Sequence, residues 1–156
     1  MSSRGGPRPS REHRRPGGGG ARRSATAADT VAAAFEVAAA RAAGLVAIRA
    51  YQPPTPPWGT DLQPLVYDPE KREADEHGSL NALLQPWRDK YPQTTVEALV
   101  ARGSAAQVLV GVSHTAQLVV VGSHGHGGFT GTLLGSVGQQ LLHHADCPVL
   151  ITRPAP

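Results

Sequence analysis

The apolar run from Leu118 to Val121 and the sixteen residues that follow it limit this chain's fold more than any other stretch. A strand packed on both faces inside a parallel sheet reads as a continuous Val/Leu run, not as an alternation of apolar and polar residues. Directly after it comes GSHGHGGFTGTLLGSV, from Gly122 to Val137, a glycine-rich loop that opens into a helix at Gly135-Ser136. Glycines let backbone N–H groups approach an anion closely. The N-terminus of the following helix adds unpaired donors and a partial positive charge. Strand, glycine loop and helix in this order form an arrangement that cradles phosphate.

The rest of the chain alternates in the same manner. Val31, Ala34, Phe35, Ala38 and Ala42 recur at helical spacing in an Ala-rich stretch, with Ser24 or Thr26 as the expected N-cap and Gly44 as the stop. Leu45 to Ile48 reads as a buried strand reaching Tyr51, and the prolines from Pro53 onward turn residues 53–69 into a loop. A polar helix is expected from Glu70 to Arg88, its apolar face Leu80, Leu83, Leu84 and Trp87, with Gly78 and Pro86 inside it. A strand over Thr94–Val100 and a helix over Ser104–Thr115 follow. After the glycine loop come a helix over Ser136–Ala145 and a last strand over Pro148–Ile151, with proline at the strand position that tolerates it. Strands separated by helices mean an α/β fold with a parallel sheet and right-handed crossovers. Ligands in such sheets sit beyond the carboxyl ends of the strands, where the glycine loop lies.

At 156 residues the chain fits one domain, and its few aromatic residues leave Val, Leu and Ala to build the core. The net charge of +3 hides an asymmetry. Residues 1–24 hold seven Arg and one Glu, and Gly, Arg or Pro occupy sixteen of those positions. Such a segment cannot bury apolar area and is expected to be a disordered or aberrant tail ahead of a domain over residues 25–153. The remaining residues carry a net charge of −3, so the body has no basic stripe for nucleic acid. Cys147, the single cysteine, permits no intramolecular disulfide. No apolar stretch nears the ~18–20 residues of a membrane helix. The paired arginines Arg14-Arg15 and Arg22-Arg23 are not followed by an uncharged segment, because Asp29 and Glu36 lie there. The cytoplasm is the expected compartment.

The loop matches neither a Walker A motif, since no Gly-Lys-Ser/Thr occurs, nor the dinucleotide fingerprint, which needs glycine where Thr130 stands. The spacing that holds is Gly122-x2-Gly125-x9-Gly135-Ser136. With the RGSAAQVL segment around Gly103, the run Ala116–Gly122 and HADCPVL from His144 to Leu150, it resembles the nucleotide-binding signature of the universal stress protein family. The resemblance implies a Rossmann-like, open, mostly parallel five-stranded sheet of order 3-2-1-4-5, with ATP at its carboxyl edge and magnesium left open. It assigns Gly122 and Gly125 to ribose and phosphate contacts through their backbone, with Ser123 beside them in the site; His124 and His126, if protonated, would add charge-assisted contacts to phosphate. Gly135, Ser136 and Val137 would bind phosphate through backbone N–H groups, helped by the Ser136 hydroxyl, and Ala50 would meet the adenine through its backbone. It also implies a homodimer through the final strand.

The chain departs from that pattern where the family's first strand, of the type Val-Val-Val-Gly-Val-Asp-Gly-Ser, should stand. Here the sequence is GGGGARRS from Gly17 to Ser24. Four glycines and two arginines cannot form the central strand of a sheet. Losing such a strand forfeits several buried side chains at ~1.5–3 kcal/mol each. Two origins would account for the tail: an out-of-frame or mis-started translation of a GC-rich gene, or a paralogue that has dropped nucleotide binding. The leading expectation is a nucleotide-binding stress-response module with little or no catalysis, because no general base or nucleophile is placed to drive hydrolysis. The alternative is a degenerate, non-nucleotide-binding paralogue that acts as a dimeric interaction protein. His143 and His144 fall in the last turn of a helix, where positive charge suits the dipole. Together with His124, His126, Asp146 and Cys147 they match no standard metal-site spacing. Cys147 reads as a small apolar filler.

Overall fold

In a computed structural model, the protein is described over residues 19–54, 67–123 and 134–153, with the side chains of residues 19–26 set aside. Four helices and four strands alternate there: α1 Gly19–Ala40, β1 Leu45–Tyr51, α2 Pro69–Lys90, β2 Val96–Arg102, α3 Ala105–Ser113, β3 Val119–Gly122, α4 Ser136–His144 and β4 Val149–Thr152. The α/β class with parallel strands is as expected. The expected single five-stranded sheet differs from what is seen. Among the described residues β1 pairs only with β2, from Leu45↔Val96 to Tyr51↔Arg102, and β3 only with β4, from Val119↔Val149 to Gly122↔Thr152. Among the described residues no strand joins the two pairs. The cause is the Gly/Arg-rich sequence before residue 25, which supplies no β-forming run; its described part, from Gly19, is the start of α1.

Each end of a helix has a local explanation. Because α1 begins at Gly19, neither Ser24 nor Thr26 is its N-cap. Its C-terminus closes before Gly44: the Ala43 amide donates to Ala38 O at 2.9 Å and the Ala42 amide to Ala39 O at 3.2 Å. This pair of bonds is a Schellman motif, and it puts Ala42 in the left-handed region at φ 50°. At the start of α2 the Asp68 carboxylate accepts from the Glu70 and Lys71 amides at 3.0 and 3.2 Å, with Pro69 in the first turn. Pro86 lies within α2 without ending it. Packing on both sides of that position holds the turn: Leu84 is fully buried, and Phe35 stacks on Trp87 and Tyr91 with centroids 6.3 and 5.8 Å away.

Two cores result, on opposite faces. Phe35 of α1 and Leu80 and Leu84 of α2 pack with Tyr51 and Val100, so alternate residues of β1 and β2 face the α1/α2 layer. Val119 and Val121 pack with Leu141 of α4 and Leu109 and Val110 of α3, so β3 and β4 face the α3/α4 layer. Cys147 is a partly buried filler at the edge of this second core. Helix α1 also reaches the opposite face of the second sheet, where the Thr30 and Thr152 hydroxyls are 2.9 Å apart. Buried Glu76 bonds both Arg49 of β1 and, at 2.9 Å, Arg72, which ties α2 to β1. Buried Ser113 donates to Val110 O at 2.6 Å and accepts from the Asp146 amide at 3.1 Å, tying α3 to the turn before β4.

Leu84→Ala should lower unfolding free energy by about 2–5 kcal/mol, while Leu142→Ala, at a side chain 59% exposed, should stay within about 0.5 kcal/mol. Ala42→Gly should act in the other direction, because it relieves a left-handed alanine; a gain of roughly 1 kcal/mol is expected. Urea denaturation midpoints at constant m-value check all three.

Candidate functional site

The site is built where β3 ends. Ser123 leaves the strand with no exposed surface, and its amide donates to Thr152 O at 2.8 Å, which continues the β3–β4 ladder by one residue. Its carbonyl accepts from the Gly135 amide, also at 2.8 Å. That bond brings the start of α4 against the end of β3 and closes the loop between them at its base. Gly135 is the N-cap of α4, with φ −70° and ψ 165°, and its carbonyl takes the first helical bond from the Gln139 amide at 3.0 Å.

In this structure the Gly135 amide, expected to face a ligand, donates to Ser123 O. The Ser123 amide is likewise in use, on Thr152 O. Both residues use their amides in the protein's own bonds. What remains free is the first turn of α4. No side chain caps it, and the amides of Ser136, Val137 and Gly138 have no acceptor among the described residues. Ser136 is exposed, so its hydroxyl stands at the mouth of this turn. Val137 anchors the turn by packing on the second core. Its donors carry the positive end of the helix dipole.

Gly138 was not singled out from sequence. It is buried, and a Cβ there would lie 2.7 Å from Leu134 Cδ1, so glycine lets Leu134 fold over the first turn. The signal was available in the spacing Gly135-x2-Gly138. Gly103 has a similar role at the end of β2: it adopts φ 134°, which side chains rarely take, and its amide donates to Tyr51 O at 2.9 Å.

Ala50 and Gly122 each lie at the carboxyl end of their strand, but on different sheets, paired with Ala101 and Thr152. His124, Gly125 and His126 lie outside the described residues. His143 and His144 occupy the last turn of α4, as the spacing indicates. The His114 Nδ1 contacts Asp146 Oδ2, which ties the end of α3 to the turn before β4. No group of three or more His, Cys, Asp or Glu able to hold a metal occurs among the described residues. No helix there is long and apolar enough to cross a membrane. The arrangement as a whole presents main-chain donors, which bind negative charge without transferring protons.

The universal stress protein family matches residues 20–153. Universal stress proteins of Mycobacterium bovis and Mycobacterium tuberculosis are each 40% identical over 122 residues, which is 78% of this chain and 40% of each relative. The chain thus spans less than half the length of those relatives. The solved universal stress protein UspA from Lactobacillus plantarum superposes with a TM-score of 0.60 at 15% identity, covering 80% of this chain and 87% of that one. A universal stress protein crystallised in complex with cAMP superposes with a TM-score of 0.56 at 22% identity, covering 85% and 90%. At these identities the structures support the fold alone.

Backbone amide exchange, resolved by residue, should separate the two kinds of donor described above. Ser123 and Gly135 should be protected, and Ser136 and Val137 should exchange at close to the unprotected rate. Protection of Ser136 and Val137 in the ligand-free protein would show that their donors are already in use.

Proposed function

The chain belongs to the universal stress protein family, and from that premise we propose that it is a nucleotide-binding stress-response module that holds ATP without turning it over. The observation that carries this reading is the uncapped first turn of α4, pinned beside the end of β3 by the Ser123–Gly135 bond. It leaves the Ser136, Val137 and Gly138 amides without an acceptor among the described residues. The cAMP complex of a protein with the same fold supports a nucleotide as the ligand class. The phosphates would lie on the α4 amides and the Ser136 hydroxyl. Gly122, His124 and Gly125 would flank ribose and phosphate, and the Ala50 backbone would lie toward the base. Main-chain donors stabilise charge but move no proton at a reacting atom, so binding and not catalysis is the proposed activity. We also place the protein in the cytoplasm as a homodimer through β4, the outer strand of its sheet, where Leu150 is 36% exposed.

A second reading has its own observation. With the Ser123 and Gly135 amides spent and Ala50 and Gly122 on separate sheets, the scaffold can serve as an interaction protein that no longer binds nucleotide.

Ser136→Pro distinguishes the two. Proline suits the first position of a helix, and Gly135 already has the extended conformation required before it, so the fold should change by no more than about 0.5 kcal/mol. The variant removes one amide donor and the hydroxyl. Hydrogen bonds to a charged group contribute about 1.5–3 kcal/mol each and the variant loses two, so ATP affinity by equilibrium dialysis should fall at least roughly hundredfold. Saturable ATP binding that Ser136→Pro leaves unchanged would place the ligand elsewhere. No binding by a folded wild-type protein would select the second reading.

A further inference from the structure

We propose that buried Glu76 is a positioning residue for the base half of the nucleotide site, a role that rests on the reading above of Ala50 as the backbone beside the base. Through Arg49, Glu76 fixes the carboxyl end of β1 against α2. Glu76 is 8% exposed, on a helix whose other buried residues are Leu80 and Leu84. A carboxylate in such a place is costly unless its oxygens are paired. Here both are: Oε2 accepts from Arg49 Nε, and Oε1 pairs with an Arg72 guanidinium nitrogen at 2.9 Å. The two bonds differ in what they join. Arg72 stands one turn earlier on the same helix, so its pair is internal to α2. Arg49 belongs to β1 and immediately precedes Ala50.

Stability alone does not account for this arrangement. Well-packed apolar residues in place of a buried ion group are often neutral or stabilising, and the best-attested use of such a group is to fix register. Within the sheet, the ladder to β2 already sets Ala50 opposite Ala101. Across the layers, Tyr51 and Val100 meet Leu80 and Leu84 through apolar contacts, which are non-directional and let one layer slide on another. Beyond Tyr51 that packing gives way to a cavity of about 370 Å³, lined by Gln52, Pro54, Tyr67 and the first turns of α2, Arg72 among them. Among the described residues, the Arg49–Glu76 bond is therefore the last directional tie between β1 and α2 before the strand ends.

The test compares ATP with inorganic tripolyphosphate, which can engage the α4 amides but has no base. Dissociation constants of both are measured by isothermal titration calorimetry on the full chain, with circular dichroism as the check on folding. Arg49→Gln leaves Glu76 paired with Arg72, and Glu76→Gln leaves two arginines that are 38% and 52% exposed, so neither variant strands a buried charge. Each should weaken ATP about three- to tenfold and change tripolyphosphate by less than about twofold, because only the base half loses its fixed position. The double variant should lose no more than either single one, since both remove the same bond. Arg72→Ala, which keeps the Arg49–Glu76 bond, should leave the ratio of the two affinities unchanged. Equal weakening of both ligands would make the role merely structural, and unchanged ATP affinity or additive losses would remove the coupling; each of these results overturns the proposal. Wild-type ATP binding no tighter than tripolyphosphate would also overturn it, since no base half would exist to be positioned. Binding of neither ligand by the folded wild-type protein would overturn the nucleotide reading itself, and this proposal with it.

Discussion

A pair of parallel strands leaves as many backbone groups unpaired as it satisfies, so neither sheet of this protein can stand without the helices laid against it. Helix α1 shares that task with α3, since both touch β1 and pack on the second sheet. Phe35 fills the first core from one side of the helix, and Thr30 meets Thr152 of the second sheet from another, so a single rigid element spans both pairs. The other interlayer ties are local. Glu76 holds α2 to β1 through two guanidinium groups, and Ser113 holds α3 to the turn before β4. Removing Phe35 would therefore disturb more than one buried contact: it would loosen the element that sets where β1 and β3 lie relative to each other.

The candidate site follows a similar economy of backbone groups. An amide can hold the protein together or hold a ligand, and around the glycine loop the two uses are divided between adjacent residues. Ser123 and Gly135 use theirs on Thr152 O and Ser123 O, which fixes strand end and helix start at hydrogen-bond distance. Ser136, Val137 and Gly138 follow immediately and carry the donors left over by helix geometry. The division gives glycine different purposes along the motif. Gly138 is small because Leu134 covers it, whereas Gly135 sits at an ordinary φ of −70° and so is not required there for left-handed backbone.

Periodicity carried the element order well, because the long apolar patterns of α1, α2, β1 and β3 come from burial, and burial leaves a mark on sequence. What it could not carry were bonds between distant backbone atoms. The use of the Gly135 amide depends on Ser123 O, and nothing in the residue types announces that. The end of α1 was missed for a comparable reason: Ala42 accepts a left-handed conformation because the Schellman bonds hold it, and sequence favours Gly44 for the role. Pro86, expected inside α2, is found there beside the aromatic packing on Phe35. Buried Glu76 looked like one more polar residue on a polar helix until Arg49 was placed opposite it. The split of the sheet was foreshadowed by the residues from Gly17 to Ser24. Its form, two separate pairs around one helix, was not.

The split sheet also bears on how tightly any ligand could be held. Ala50 and Gly122 end strands of different sheets, and among the described residues no hydrogen-bond ladder fixes the distance between those ends. A ligand reaching both would rely on α1, which contacts β1 and β3, for the spacing of those ends, at a cost in affinity if that spacing had to change. A ligand resting on the α4 amides alone bears no such cost, since α4, β3 and β4 share one core around Leu141. The geometry thus divides the proposed site into a preorganised phosphate half and a base half that depends on α1. The phosphate half would rest on Ser136, Val137 and Gly138 of α4, which packs on the second core. The base half is where the lack, among the described residues, of a strand joining β1 to β3 would be felt.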